Sequence, residues 1–458
     1  MINKSHFIGE HIADVGKSYE FIKELGKGSY GQVYRCQNKI TGNVYACKKM
    51  SKKKIKNKNQ FKTEINLLRA TDHPNIIKLY DIYEDTDYLY LIMEECNGGE
   101  FFDCLAKRAK EKKMYTEKEC AKIFKQILEA VNYLHAHGVC HRDLKPENIL
   151  FSNVADDSCL KLIDFGLSKV IDGDKNLKGA VGTTFYMAPE VITGTYNEKC
   201  DIWACGIILY IMLCGKPPFY SQDEAELKKK ICSMKYNFNY PEFKKVSQDA
   251  IDLIKQILVP PEKRLSAAEV LANPWIKENA PHATGENLKE NWEHIERYTK
   301  LNLVQKSIIN FTAFHLTSRE TKEFVEMFKS LDENSDGVLS IEEIKKGVEA
   351  SKFGTKGENI VKLFEEMDID KNGLINYTEF ISALMDYEKI KENQLIECFN
   401  SYDTDDSGKI SFKELCDMIK PQTKEEKEEL KELYNKFDTD GDGEISLKEF
   451  KEGFKKKV

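Results

Sequence analysis

Residues 141–148 read His-Arg-Asp-Leu-Lys-Pro-Glu-Asn and follow an apolar stretch that predicts a buried helix. The loop combines a carboxylate, an ammonium and an amide at a spacing suited to phosphoryl transfer. Asp143 is predicted to accept the proton of a substrate hydroxyl, Lys145 to neutralise the transferring phosphate and Asn148 to hold a metal ion. Farther along, Asp164 opens an Asp-Phe-Gly triplet and is predicted to be the main carboxylate ligand of Mg²⁺.

Two phosphate-binding signals precede this loop. Alternating apolar residues flank a G-x-G-x-x-G turn made by Gly26, Gly28 and Gly31. Because residues 32–37 predict a second strand and not a helix, the turn is expected to be a hairpin lid rather than a dinucleotide-binding turn. A second apolar strand ends at Lys48, which can hold the α and β phosphates if a carboxylate positions it. Glu64, on a predicted helix, is the candidate partner.

Four copies of one twelve-residue pattern occupy the last third of the chain. Each copy has oxygen-bearing side chains at positions 1, 3, 5 and 9, Gly at position 6 and Glu at position 12. Calcium takes six to eight oxygen ligands, and a Gly at position 6 allows the sharp turn that delivers them. Position 7 contributes a backbone carbonyl, so its side chain is predicted to have no effect on binding. An apolar residue follows position 7 each time and predicts a short strand that pairs two loops.

The predicted calcium ligands are Asp332, Asn334, Asp336, Val338, Ser340 and Glu343 in the first loop, Asp368, Asp370, Asn372, Leu374, Asn376 and Glu379 in the second, Asp403, Asp405, Ser407, Lys409, Ser411 and Glu414 in the third, and Asp438, Asp440, Asp442, Glu444, Ser446 and Glu449 in the fourth. One alternative is an acidic, solvated surface with chance spacing, which four full matches disfavour. Another is a set of degenerate loops that do not bind, although every loop keeps its Glu at position 12.

Composition narrows the class of protein. The 458 residues suggest about three domain-sized units, and the net charge of −7 gives no sign of a nucleic-acid-binding surface. Thirteen cysteines without a C-x-x-C pair indicate reduced thiols, so a cytoplasmic location is expected. There is no apolar run of eighteen residues, and the N-terminus lacks a signal-peptide core and the Met-Gly of myristoylation. Membrane attachment is therefore not indicated.

As a set, these motifs, with Ala-Pro-Glu at 188–190, resemble a protein kinase of the calcium/calmodulin-dependent group. With the four loops, the chain from about residue 19 resembles a calcium-dependent protein kinase of the plant and apicomplexan type. The resemblance implies an α+β, bilobal kinase fold, with a five-stranded sheet and one helix in the small lobe, followed by an all-α calmodulin-like domain with four EF-hands. The implied boundaries are 1–18 for an N-terminal tail, 19–276 for the kinase domain, 277–322 for an autoinhibitory junction helix and 323–458 for the calmodulin-like domain.

The resemblance also implies an ATP site and the cofactors ATP, Mg²⁺ and Ca²⁺. Its predicted residues are Leu25, Gly26, Gly28, Gly31, Val33, Ala46, Lys48, Met93 as gatekeeper, Glu94 and Cys96 in the hinge, Glu100 and Leu150. Serine or threonine is the expected acceptor, because Lys145 lies in the catalytic loop. Glu100 and Glu147 resemble carboxylates that read a basic residue of the substrate, and this interpretation is favoured over exposed charges or ribose contacts.

Two features bear on the stretch between Asp164 and Glu190, which is called the activation segment below. Thr183 is predicted to hydrogen-bond Asp143, and residues 171–180 contain no hydroxyl, so a phosphorylation switch acting through Arg142 is not expected. Arg264 resembles the arginine that pairs with Glu190. Asp201 resembles the residue that bonds the backbone of the catalytic loop.

The junction has one apolar stripe at helical spacing, formed by Trp292, Ile295, Tyr298, Leu301, Val304, Ile308 and Phe311. It predicts either a packed linker helix or an exchangeable ligand that covers the kinase at rest and binds the calcium-loaded lobes. The second interpretation is favoured by the four loops downstream. Because the stripe has no convincing R-x-x-S mimic, steric occlusion is favoured over pseudosubstrate mimicry. The remaining alternatives for the whole chain are an inactive kinase-fold scaffold or calcium-binding protein, and a kinase with purely structural EF-hands.

Overall fold

The structure is a computed structural model, and it describes residues 7–27, 31–55, 57–155, 158–171, 177–178, 181–280, 288–350 and 357–455. Among these residues, no helix combines the length and the apolar content needed to cross a bilayer. The cytoplasmic location stays a prediction.

The small lobe is built on one six-stranded sheet. Its strands are β1 (Gly9–His11), β2 (Tyr19–Lys27), β3 (Gly31–Asn38), β4 (Val44–Ser51), β5 (Leu79–Glu84) and β6 (Tyr88–Glu94). Their order is β1-β5-β6-β4-β3-β2, with β1 parallel to β5 and all other neighbours antiparallel. Helix α1 (Lys58–Ala70) begins at Asn57, whose side chain accepts a hydrogen bond from the Gln60 N–H. The predicted strand pair on either side of the glycine-rich turn is confirmed as β2 and β3, whereas residues 28–30 of the turn lie outside the described residues.

The sheet differs from the expected five strands because the predicted N-terminal tail supplies the sixth. Phe7 and Ile8 are buried, and the three residues that follow pair with the edge strand β5. An apolar pair followed by an extended segment is too short to be recognised as a strand from the sequence.

The large lobe is mainly helical. Its helices are α2 (Phe101–Glu111), α3 (Glu117–Ala136), α4 (Pro189–Thr193), α5 (Lys199–Cys214), α6 (Glu224–Ser233), α7 (Gln248–Ile257), α8 (Ala267–Leu271) and α9 (Pro274–Asn279). Short strands β7 (Val139–Cys140), β8 (Ile149–Phe151), β9 (Leu160–Leu162), β10 (Lys169–Val170), β11 (Leu177–Lys178) and β12 (Thr195–Tyr196) form three antiparallel pairs. Helix α5 is buried on nearly every side, which its continuous apolar sequence requires.

The C-terminal part contains ten helices and one strand pair within the described residues. The helices are α10 (Leu288–Tyr298), α11 (Leu303–Phe314), α12 (Lys322–Leu331), α13 (Ile341–Ala350), α14 (Gly357–Met367), α15 (Tyr377–Leu384), α16 (Glu392–Tyr402), α17 (Phe412–Ile419), α18 (Lys424–Phe437) and α19 (Leu447–Lys455). Strands β13 (Lys409–Ile410) and β14 (Ile445–Ser446) join the third and fourth loops. Leu339 and Ile375 exchange backbone hydrogen bonds between the first and second loops. The predicted pairing of loops is confirmed.

The junction consists of two helices and not of one continuous helix. Asn302 and Gln305 form a capping box that begins α11, so the apolar stripe is interrupted after α10. The stripe itself faces inward, because Ile295, Tyr298 and Ile308 are buried. Every residue of α11 from Val304 to Phe314 is buried, since α15, α16 and α18 pack around it.

Candidate functional site

One buried carboxylate fixes the backbone of the catalytic loop. Asp201, near the start of α5, accepts hydrogen bonds from the backbone N–H groups of His141 (2.8 Å) and Arg142 (2.9 Å). Burial would raise the pKa of Asp201, but the hydrogen bond with His135 and the donors of the loop hold it below its usual value. This fixes the backbone just before Asp143, as the resemblance implied.

Asp143 lies at the centre of a compact polar cluster. Its Oδ2 accepts a hydrogen bond from Lys145 Nζ at 2.7 Å, and its Oδ1 accepts from both the N–H (3.0 Å) and the Oγ1 (3.1 Å) of Thr183. Asn148 Nδ2 donates to the Asp143 carbonyl at 2.8 Å. The predicted bond between Thr183 and Asp143 is therefore present. The cluster therefore brings together a proton acceptor in Asp143, a cation in Lys145 and a candidate metal ligand in Asn148.

The phosphate-binding lysine is also paired. Lys48 on β4 lies 3.3 Å from Glu64 Oε1, and Glu64 is buried on α1. Asp164 has a left-handed backbone conformation with φ of 64°, and its Oδ1 accepts the Gly166 N–H at 3.1 Å. Phe165 is buried beside the His141 ring. A Cβ on Gly166 would lie 3.5 Å from Glu64 Oε2, so the Lys48–Glu64 pair, the Asp-Phe-Gly triplet and the catalytic loop lie next to one another.

The predicted nucleotide residues lie side by side in the sheet. Strand register pairs Gly26 with Val33 and Ala46 with Met93. Gly31 is required by close approach, since a Cβ there would lie 1.8 Å from a carbonyl oxygen of the adjacent β4. Below them, an isolated bridge joins Leu150 to Glu100, while Leu25 is about half exposed at the edge and Cys96 is half-buried. Gly28 lies outside the described residues.

The hinge residue Glu94 is committed to two other side chains. Its Oε2 lies 2.9 Å from Lys161 Nζ, and its Oε1 accepts a hydrogen bond from Ser318, which follows the junction helix α11. Burial lowers the pKa of Lys161, but the adjacent Glu94 raises it above its usual value overall. The Glu94 N–H donates to the Lys78 carbonyl at 3.0 Å. Sequence reasoning missed this link between the hinge and the regulatory segment.

Three carboxylates, Glu100, Asp103 and Glu147, lie close together at the start of α2 and in the catalytic loop. Burial, together with Asp103 and Glu147 nearby, raises the pKa of Glu100. One carboxylate oxygen of Glu147 is buried without a hydrogen-bond partner among the described residues. Asp103 was not predicted, although its position three residues after Glu100 in the first turn of α2 would place it on the same face. A buried carboxylate without a partner favours a cationic ligand.

One ion pair and two hydrogen bonds hold the two ends of the activation segment. Arg264 is fully buried, and its Nη2 lies 3.1 Å from Glu190 Oε2, as the resemblance implied. Arg142 Nε donates to the Leu167 carbonyl at 2.6 Å, and its Nη1 donates to the Tyr196 hydroxyl at 3.3 Å. The middle of the segment, including Asp172 and Asp174, lies outside the described residues.

The four loops have the geometry that calcium requires. The glycines at position 6 all have a positive φ, between 79° and 93°. In the second, third and fourth loops, carboxylate oxygens from positions 1, 3 and 12 lie within 4.8 Å of one another. In the first loop, Glu343 accepts hydrogen bonds from the Glu333 and Ser340 N–H groups, which orient its two oxygens inward. These oxygen-rich sets fit a hard divalent cation.

One position-7 side chain is not neutral, contrary to the prediction. Lys409 of the third loop forms an ion pair with Asp442, which is the position-5 ligand of the fourth loop. The pair raises the pKa of Lys409 and lowers that of Asp442. The strand pair β13–β14 causes this, because it brings one loop's position 7 beside the other loop's ligands. The Lys409 ammonium group therefore competes with calcium for the Asp442 carboxylate.

The EF-hand domain contacts the kinase lobes directly, which no local motif predicted. Lys329 Nζ donates to Glu129 Oε2 and to Asn75 Oδ1, both at 2.6 Å. The Thr378 N–H donates to Asp72 Oδ2 at 3.0 Å. Glu129 lies on α3, so these contacts attach the EF-hand helices α12 and α15 to the face of the kinase around α3.

The first calcium loop itself is part of this interface. Asn132 Nδ2 on α3 donates to the backbone carbonyls of Asn334 (3.2 Å) and Ser335 (2.6 Å). Gly337 packs so closely on the kinase that a Cβ there would lie 2.4 Å from the Tyr133 ring. The shape of this loop and its position on α3 are therefore linked.

Comparisons with known proteins agree with this geometry. A model of the protein kinase domain matches residues 19–276, and a model of the EF-hand domain pair matches residues 321–385 and 392–455. The chain is similar to Calcium-dependent protein kinase 5 of Plasmodium berghei (strain Anka), with 40% identity over 388 residues that cover 83% of this chain and 68% of the relative. It is also similar to Calcium-dependent protein kinase 4 of Plasmodium falciparum (isolate 3D7), with 38% identity over 402 residues that cover 83% of this chain and 75% of the relative.

Proposed function

This chain belongs to the calcium-dependent protein kinases, and from that premise we propose how its residues transfer a phosphoryl group and how calcium controls the transfer. It is a calcium-activated serine/threonine protein kinase that uses ATP and carries calcium-binding EF-hands. The roles of individual residues, the use of Mg²⁺ and the part played by the junction are the proposal.

In the chemical step, Asp143 accepts the proton of the substrate hydroxyl as that oxygen attacks the γ-phosphoryl group of ATP. Lys145 stabilises the charge on the transferring group, and Thr183 keeps Asp143 oriented toward the acceptor. Lys48, positioned by Glu64, holds the α and β phosphates. The bond between the β-phosphate and the γ-phosphorus breaks, and ADP leaves.

Asn148 and Asp164 would hold Mg²⁺, which neutralises charge on the phosphate oxygens when bound. Their donors are an amide and a carboxylate, which suit this hard cation. Asn148 uses its Nδ2 on the Asp143 carbonyl, so its oxygen is the atom available to a metal. In each EF-hand the oxygens at positions 1, 3, 5, 7 and 12 would hold calcium, and the cation would complete the turn around Gly.

The adenine site is proposed between Ala46 above and Leu150 below. The side chain of Glu94 pairs with Lys161 and its N–H bonds the Lys78 carbonyl, so the backbone carbonyl of Glu94 is the group proposed to contact the base. The remaining predicted contacts are Leu25, Gly26, Gly31, Val33, Met93, Cys96 and Glu100. For protein substrates, a basic residue near the acceptor is proposed, since Glu100, Asp103 and the unpartnered oxygen of Glu147 concentrate negative charge there.

The junction helix α11 is proposed to be a captured ligand of the EF-hand lobes in the active state. Ser382 Oγ donates to Asn310 Oδ1 at 2.6 Å, and Gln305 Nε2 donates to the Phe454 carbonyl at 3.2 Å. Both EF-hand pairs thus hold the helix, and its last residue Phe314 packs on Tyr80 of β5. The observation that carries the proposal is that the Lys48–Glu64 pair is formed while α11 is held this way. Such capture removes steric occlusion of the kinase. The contacts of the EF-hand domain with the kinase around α3 are proposed to stabilise the active arrangement as well, and these contacts are called the brace below.

A calcium titration of peptide phosphorylation by Lys329→Met separates the brace from simple relief of occlusion. Lys329 joins the EF-hand domain to Glu129 and Asn75, and hydrogen bonds to charged groups contribute about 1.5–3 kcal/mol. A brace predicts a lower maximal rate at saturating calcium, whereas relief of occlusion alone predicts an unchanged maximum. Lys346→Met is the matched control, because Lys346 pairs with Glu333 at the surface of the EF-hand domain.

A further inference from the structure

The N-terminal segment, residues 7–11, binds in a groove with two unrelated walls. One wall is the edge of the small-lobe sheet, where β1 pairs in parallel with β5 in the register Gly9–Asp81, Glu10–Ile82 and His11–Tyr83. This is the mode in which an extended peptide adds a strand to an exposed sheet edge. Backbone pairing of this kind supplies affinity, whereas the side chains that enter pockets supply specificity.

Phe7 is the anchor of the segment, and its pocket belongs mainly to the junction helix. The ring is 2% exposed. Its centroid lies 5.7 Å from that of Phe311 in an edge-to-face arrangement and 6.2 Å from that of Phe314. Phe314 in turn packs against Tyr80 of β5, with centroids 5.4 Å apart. The pocket is complete only when α11 lies against the sheet.

The other contacts of the segment are weaker or independent of α11. The His11 ring stacks on Tyr83 at 4.5 Å, and Glu10, which is mostly exposed, pairs with Arg69 at 2.6 Å. These groups belong to the small lobe alone. Phe7 is therefore the side chain through which the segment senses the position of α11.

We propose that the groove between β5 and α11 is a binding site for an extended, phenylalanine-anchored peptide, that residues 7–11 fill it in cis, and that it forms only when the EF-hand lobes hold α11. The inference rests on the proposed capture of α11 by the calcium-loaded lobes. A segment that binds only one of two arrangements stabilises that arrangement by its own binding free energy. Residues 7–11 thus act as a clasp that lowers the calcium concentration needed for activation.

The size of the effect follows from linkage. Coupling between two sites changes an equilibrium constant by about 5–150-fold, and if four calcium ions share that change, the calcium concentration at half-maximal activity shifts by the fourth root, about 1.5–3.5-fold. Phe7→Ala in the full chain is expected to raise this concentration by that factor and to leave the maximal rate at saturating calcium nearly unchanged. Phe7→Leu, which keeps most of the buried apolar surface, is expected to shift it less.

Ile12→Ala is the matched control, because Ile12 lies one residue beyond β1 and is 92% exposed. It should leave the titration unchanged. A second measurement uses a fluorescent synthetic peptide with the sequence of residues 1–14, added to the full-chain Phe7→Ala protein. The peptide is expected to bind in calcium and to lose binding in chelator, and a peptide with Ala in place of Phe is expected to bind more weakly.

An unchanged calcium requirement in Phe7→Ala, beside a wild-type chain that calcium activates, would overturn the clasp and leave the proposed function intact. Equal loss of rate at every calcium concentration would also overturn it, because that result describes a structural anchor alone. Peptide binding that does not depend on calcium would overturn the gating of the site. A wild-type chain without calcium stimulation would instead overturn the proposed function.

Discussion

The first and third calcium loops share one pattern of ligands, yet they face different surroundings. Gly337 of the first loop packs against the kinase, where a Cβ would lie 2.4 Å from the Tyr133 ring. At Gly408 of the third loop, a Cβ would meet nothing within 4 Å among the described residues. The second EF-hand pair instead reaches the small lobe through a helix, where Glu397 accepts a hydrogen bond from Asn38.

The carboxylates of the two regions reflect this difference. At position 12 of the second loop, burial, with Asp370 and Asp368 close by, raises the pKa of Glu379 well above its usual value. At the same position of the fourth loop, burial would raise the pKa of Glu449, but hydrogen bonds from Ser446 and from the N–H groups of Thr439 and Asp440 lower it to about 2. The ligand pattern therefore determines that a loop can bind calcium, whereas the surface around the loop determines what binding does. We expect the first pair to brace the kinase and the second pair to set the calcium requirement.

The largest expected effect is the loss of turnover when the proton acceptor is removed, and it should not depend on either EF-hand pair. Asp143→Asn should lower turnover by about 10²–10⁴-fold at every calcium concentration, because the proton acceptor is lost. ATP binding should remain, which equilibrium titration with a fluorescent nucleotide would check. Near-normal turnover would remove the assigned role of Asp143.

Paired Glu→Gln substitutions test the two EF-hand pairs directly. Each removes one negative ligand at position 12, so calcium binding to the loop should weaken on the order of tenfold or more. Glu414→Gln with Glu449→Gln should raise the calcium needed for half-maximal activity. Glu343→Gln with Glu379→Gln should in addition lower the rate at calcium concentrations that saturate the unaltered chain. Identical titrations for the two double variants would erase the distinction between the pairs.

Two Gly→Ala substitutions sharpen the comparison further. Gly337 and Gly408 have φ values of 79° and 82°, so Ala costs about 1–2 kcal/mol of backbone strain at either position. Only at Gly337 does the methyl group also collide with the kinase. Gly337→Ala should therefore reduce the maximal rate more than Gly408→Ala, in parallel peptide assays at saturating calcium. An equal loss of maximal rate would mean that the first loop does not dock on α3 in the active protein.

The smallest expected effect concerns calcium binding by the second EF-hand pair alone. Lys409→Gln removes the cation that pairs with Asp442, so the fourth loop should bind calcium roughly twofold more tightly. Site-resolved NMR titration would measure the change, with Lys413→Gln as a control on the same loop. The sequence also predicts that the fourth loop, with Asp442 at position 5, binds at least as tightly as the third loop, with Ser407 there. That order should become clearer once Lys409 is replaced.

What the sequence could predict depends on how far apart the interacting residues lie. Asp143, Lys145 and Asn148 occupy one short motif, and each calcium loop is complete within twelve residues, so spacing alone assigned their chemistry. Lys329 and Glu129 are 200 positions apart, and neither belongs to a recognisable pattern. The same holds for β1, because its three residues acquire meaning only beside an edge strand.

Local patterns were misleading where tertiary contacts competed with them. The apolar stripe of the junction predicts one helix, but the capping box at Asn302 begins a new one. Position 7 of the third loop was expected to act only through its backbone, yet strand pairing directs Lys409 toward the neighbouring loop. In both cases the repeat pattern was recognised correctly. A polar side chain, Asn302 in the junction and Lys409 in the third loop, then made the local structure differ from what the pattern predicts.

The hydrogen bond from Ser318 to the hinge residue Glu94 has a consequence for ligands of the nucleotide cleft. It ties the end of α11 to the segment on which adenine is proposed to rest, so occupancy of either region biases the geometry of the other. Thermodynamic reciprocity then requires that any compound whose affinity rises in calcium must itself raise the affinity of the chain for calcium by the same factor. Inhibitors that compete with ATP would thus divide into agonists and antagonists of calcium binding, although none of them touches an EF-hand.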